Sequence, residues 1–161
     1  MAAASGVKVG IKCKVYRNTG TYGSPTWTEV TLIRDATMSC PWDLVDASSR
    51  AHRVKLFAKT MQDVTVNIVM RADDADAAAI AFYAASQEET VLDLLVLEGP
   101  ISTEGSSGVR AHFVVNLANQ DHGSGSVVYN TYDLKPGYSS EGNPKYVVMG
   151  ATSTINASDP G

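Results

Sequence analysis

Much of the chain alternates. From Val7 to Val15 every second position is apolar (Val7, Val9, Ile11, Cys13, Val15), while Lys8, Lys12 and Lys14 take the other side. A period of two marks a strand with one face on a core and the other in solvent. The alternation returns in DVTVNIVM, where Val64, Val66, Ile68 and Met70 oppose Thr65 and Asn67. It returns again in GVRAHFVVNLANQ, where Val109, Ala111, Phe113, Val115 and Leu117 share a face. VLDLLVLE at 91–98 is apolar almost throughout and reads as a buried strand. TWTEVTLIRDATMSC, VVYNTYDLKPGY and YVVMG add further strand segments, separated by turn chemistry such as Asn18, Thr19, Gly20, Gly23, Ser24 and Pro25.

Two stretches break the period. DDADAAAIAFYAASQEE predicts a helix over 73–87, capped by Asp73 or Asp74 and lying on a sheet or barrel end through Ile80, Tyr83 and Ala84. PWDLVDASSRAHRVKLFAKT at 41–60 has neither period and predicts a long inter-strand loop with a short strand in VKLF. Loops of that length tend to be functional or to be ordered by a partner. The expected fold is therefore mainly β with one α-helix, a single domain over 1–161. It carries an N-terminal arm at 1–6 and a polar C-terminal arm at 139–161 that is mobile alone.

Composition narrows the function. The chain has 161 residues, 44% hydrophobic and 19% charged, which suits one ordered domain with a real core. Its net charge of −4 argues against a general nucleic-acid binder, which needs Lys and Arg to replace phosphate counterions. Cys13 and Cys40 lie in strand segments, with Cys13 on an apolar face; buried reduced thiols are expected, and a disulfide is possible but unforced. The first residues lack a basic segment followed by an apolar one, and no apolar run approaches the ~20 residues of a membrane span, so a cytoplasmic protein is expected.

Catalytic chemistry finds no support. His52 and His122 fall in polar loops and His112 alternates outward from a strand, which predicts surface or interface histidines; none accompanies a G-x-S-x-G elbow. No C-x-x-C, H-E-x-x-H or EF-hand spacing occurs, and the acids at 73–76 are explained by helix capping, so no metal or cofactor is expected. EGSSG and HGSGS lack the strand and helix that flank a dinucleotide loop. An enzyme is not expected.

Specific stretches resemble the major tail tube proteins of long-tailed, siphovirus-like bacteriophages. They are KCKVYRNTGTYGSPTWTEVTLIRDATMSC, with its aromatic turn and R-D-x-T strand; DASSR at 46–50; QDVTVNIVMRADDAD leading into the helix; and GVRAHFVVNLANQ before a polar turn and closing strand. Together they cover most of residues 7–138, though AHRVKLFAK stands where a more glycine-rich loop is usual. The resemblance implies a β-sandwich or barrel-like tail tube fold flanked by a helix, with hexameric rings of the protein itself stacked into a hollow virion tube. That tube would conduct genomic DNA without binding it, and would also meet tape measure, terminator and distal tail proteins. Synthesis would be in the host cytoplasm, with no membrane partner.

Under that resemblance, Tyr22, Trp27, Trp42, Asp46, Ser49, Arg50 and Arg53 are the candidate assembly interface, covered by neighbouring copies. The alternative for Tyr22 and Trp27 is that the turn packs on its own domain. Asp63, Asp93 and Asp133 are candidate lumen acids that would repel phosphates over about 8 Å at physiological salt. A tube of a contractile injection or secretion machine, or a monomeric β-sandwich binding module, would share much of this pattern.

Overall fold

The structure is a computed structural model that describes residues 13–51 and 53–150 and the backbone of strand 155–158. The Val7–Ile11 alternation, the arm at 1–6 and His52 lie outside the described residues. The elements are β1 (Lys14–Asn18), β2 (Trp27–Glu29), β3 (Ile33–Ser39), β4 (Trp42–Asp46), β5 (Phe57–Gln62) and β6 (Thr65–Arg71). After them come α1 (Ala77–Gln87), β7 (Val91–Leu97), β8 (Ser107–Asp121), β9 (Tyr129–Pro136), β10 (Lys145–Met149) and β11 (Ile155–Ser158).

Nine strands form one antiparallel sheet in the order β2-β1-β7-β8-β9-β6-β3, with β10 on β8 and β11 on β10. The 15-residue β8 is its spine. One edge of β8 pairs with β7 from Gly108 to Val114; the other takes β10 at Ser107–Arg110 and then β9 from Phe113 to Asp121. The sheet curls until β1 and β3 face each other without pairing. A gap of about 190 Å³ between them is lined by Val15, Met38 and the buried Val66 and Val96. The result is an open, barrel-like β-structure.

The alternating positions explain the curl. Val66, Ile68 and Met70 of β6, Val109, Ala111, Phe113 and Val115 of β8, and Tyr132 and Leu134 of β9 all fill the concave side. Each fully buried side chain of this size contributes about 1.5–3 kcal/mol. β7 is apolar but for Asp93 because it serves two cores. Leu94 and Val96 face the concave side, whereas Leu95 and Leu97 join Tyr16, Val147 and Met149 in a second cluster on the convex side. Gly108 pairs with both Leu97 and Val147, and a β-carbon there would run into the Val96 carbonyl, so glycine is what lets the three strands lie this close.

The helix differs from expectation in its cap and its buried face. The Asp76 carboxylate, not Asp73 or Asp74, accepts the N–H groups of Ala78 and Ala79 at 3.0 Å. Asp73 instead accepts from Ala75 and pairs with Arg71 at 3.3 Å. The buried residues are Ala79, Phe82 and Ala85, with Phe82 tilted against Tyr132 at 5.7 Å between ring centroids, while Ile80 and Tyr83 are 51% and 46% exposed. An alanine-rich helix is apolar on several sides, and the Phe82 ring decides which side goes inward.

Two other expectations are corrected. Residues 41–60 are not an irregular loop, because β4 and β5 form a hairpin there. Cys13 is exposed at the start of β1, Cys40 is half-buried, and neither is in a disulfide. The expected YVVMG strand is β10, which joins β8, and the backbone of Ile155–Ser158 pairs with it.

Candidate assembly surfaces

The hairpin is built from local pairing alone. Leu44 lies opposite Lys59, Val45 opposite Ala58 and Asp46 opposite Phe57, with a bulge between Trp42 and Leu44. It forms its own two-stranded sheet, separate from the main one. Every residue of both strands is exposed, including Leu44 at 59%, Phe57 at 57% and Met61 at 75%. A lone hairpin is marginal in water, and this one leaves its apolar side chains open to solvent in the single chain. Its shape is held by Lys59 over the Trp42 ring at 5.5 Å and by the Ser48 hydroxyl, which accepts from Leu56 N–H at 2.8 Å. Hydrogen bonds from the Ser48 side chain and backbone hold the Asp46 carboxyl below its ordinary range. Ser49, Arg50 and Arg53 sit at the exposed tip. Five of the seven anticipated interface residues thus share one projecting element.

Tyr22 and Trp27 are placed elsewhere, packed on their own chain around Arg110. The Arg110 guanidinium makes a two-point pair with Asp93, at 2.7 and 3.2 Å, and the two side chains are only 11% and 9% exposed. It lies 4.1 Å from the Tyr22 ring centroid and 4.9 Å from that of Trp27, and it donates to the Tyr22 carbonyl at 3.0 Å. Asn18 donates to the same Asp93 carboxylate at 2.9 Å. His112 is buried rather than a surface residue: it stacks on Tyr22 at 5.4 Å and reaches Glu141 at 3.4 Å. The aromatic turn is therefore clasped by the convex face of its own sheet.

This geometry also removes Asp93 from the lumen acids, because its charge is enclosed and matched by Arg110. Asp133 stands in a polar row across four strands, Thr37–Asn67–Asp133–Asn116, on the face opposite the core. Asn67 donates to it at 2.6 Å. Asp63 is exposed just before β6, with Lys135 at 3.4 Å. Sequence reasoning missed Arg110 altogether; a single Asp in an otherwise apolar strand was the signal that a cation had to lie opposite.

Among the described residues no three His, Cys, Asp or Glu side chains gather as metal ligands. What stands out is a curled antiparallel sheet with a helix across it, a clasped aromatic turn and a hairpin whose apolar side chains are exposed. No protein-family model and no curated protein sequence matches the chain.

Solved structures do match. A chain of the virion of a native gene transfer agent particle aligns with a TM-score of 0.61 at 12% identity, covering 83% of this chain and 96% of that one. The SPP1 tail tube aligns with a TM-score of 0.61 at 8% identity, covering 79% and 74%. A chain of the anti-feeding prophage baseplate gives 0.51 at 12% identity over 94% and 99%. At these identities the likeness establishes the fold, which is that of tail tube proteins.

Proposed function

We propose that the chain is a structural tail tube subunit, not an enzyme. Six copies close into a ring, rings stack into a hollow tube, and the tube forms the virion conduit through which genomic DNA leaves the capsid. The single observation that carries the proposal is the tail tube fold combined with a hairpin that leaves its apolar side chains uncovered in the isolated chain. Covering such a surface supplies the drive for association. In this reading the Thr37–Asn67–Asp133–Asn116 row faces the lumen, with Asp133 and Asp63 contributing negative charge that keeps DNA hydrated and sliding. Tape measure, terminator and distal tail proteins would meet the ends of the tube.

The likeness to the anti-feeding prophage baseplate, which spans 94% of this chain, favours one second reading: a tube of an injection machine that carries protein. Negative-stain electron microscopy across concentration tests the shared part. Six-fold rings or hollow tubes of uniform width are expected, and a protein that stays monomeric at every concentration overturns both. DNA or protein inside tubes isolated from producing cells separates the two readings.

A further inference from the structure

The seam between β1 and β3 is shaped for one more strand. Five antiparallel pairings link the two, β1 with β7, β7 with β8, β8 with β9, β9 with β6 and β6 with β3, so β1 and β3 run in opposite directions. β2 pairs with β1 only at Tyr16–Asn18, and among the described residues no strand lies on the edge of β3 turned away from β6. A free edge of this kind is a template for another strand. Cys13, Lys14 and Val15 line the seam from one side and Ala36, Thr37 and Met38 from the other.

The seam leads into a second opening at the hairpin end of the sheet. Met38 lines this one too, a cavity of about 190 Å³, together with Cys40, Val64, Val109 and the half-exposed Tyr146. Val64 and Val109 belong to the main core, which is therefore reached from outside at this end.

Strand direction selects the occupant. β7 ends at Leu97, beside the Lys14–Leu97 pair, and the chain turns away through Gly99 and Pro100, so the residues ahead of Cys13 have no β7 neighbour. Antiparallel to β3, they head toward Ser39 and Cys40. Val15 lies in the main core, and a period of two puts Val7, Val9 and Ile11 on its side, with Lys8 and Lys12 on the other. We propose that residues 7–12 continue β1 along the free edge of β3 in the same copy and seal the seam. A register that sets Cys13 against Met38 and Val15 against Ala36, counted back one for one, brings Ile11 to Cys40, over the opening to Val64 and Val109. Burial of the stripe drives the seal, the pairing satisfies the β3 edge, and the lysines stay in solvent. The seal is a property of the single chain and does not depend on the tube reading.

The test oxidises two full-length variants, Cys13→Ser with Ile11→Cys and Cys13→Ser with Lys12→Cys, each keeping Cys40. The first is expected to form a disulfide to Cys40 within one chain many-fold faster than the second, read as a faster-migrating monomer on non-reducing gels. Equal rates, or no disulfide in either monomer, overturn the seal. A disulfide-linked dimer from the first variant gives the edge to a second copy and overturns it as well. Hydrogen exchange on the unaltered chain covers the case of a variant that does not fold. Alternate amides of residues 7–12 should exchange many-fold slower than in a free peptide of residues 1–12, and free-peptide rates there overturn the seal.

Discussion

The Arg110 cluster and the β4–β5 hairpin are made of the same residue types with opposite outcomes. Each joins aromatic rings, basic side chains and an aspartate within antiparallel strands. In the first, every charge is matched inside the chain: Arg110 has Asp93, two rings and a carbonyl. In the second, rings and bases point outward from a ribbon with no sheet behind it. Composition does not separate an intrachain clasp from an uncovered surface; what separates them is whether the neighbouring strands bring a complementary partner.

Substitutions can break that comparison. The largest effect on stability belongs to Arg110→Met, which strands Asp93 with an enclosed, unpaired charge and should cost about 3–5 kcal/mol in urea unfolding. Adding Asp93→Leu should recover most of the loss, and no recovery would show that the pair is not the source. Arg53→Ala, the matched change on the hairpin, should stay within about 0.5 kcal/mol of wild type while reducing tube formation.

A smaller loss, about 1–2 kcal/mol, is expected for Trp27→Ala, which removes a ring from the Arg110 cation. Phe57→Ser should leave thermal unfolding of the monomer unchanged and abolish assembly in sedimentation; equal effects of these two changes on folding would dissolve the distinction between clasp and anchor.

The smallest effect is local and depends on pH. The Asp46 carboxyl titrates below its ordinary range because Ser48 bonds the ionised form. Its contribution to the hairpin is present above the unfolded-state pKa and is lost as pH falls through the lowered folded-state value. Amide exchange at Ser48 and Leu56 should accelerate across that acidic window, while exchange in β8 should not.

Strands with one buried face were legible from sequence. Val64, Val66, Ile68 and Met70 are all buried, as are Val109, Ala111, Phe113 and Val115. The hairpin was hidden for a physical reason: both of its faces meet solvent in the single chain, so no buried side imposes a period of two. The helix face was misread because Ile80 and Tyr83 have the same spacing as Ala79 and Phe82 and greater apolar bulk than alanine, and only tertiary packing ranks them. The pairing of Asp93 with Arg110 depends on strand register, which places His112 opposite Asp93 and leaves Arg110 to reach across the diagonal. The stacking of rings in the tube reading therefore rests on surfaces that sequence periodicity does not reveal.

The separation of the hairpin from the main sheet also bears on the order in which the chain matures. β4 and β5 are joined by the ten residues 47–56 and can pair on the microsecond scale of local hairpins. The curled sheet needs β6, β8 and β9 all in place, and pairings such as β6 with β9 close long stretches of chain, which makes them slow. During synthesis the hairpin can thus form before the sheet that carries it is complete.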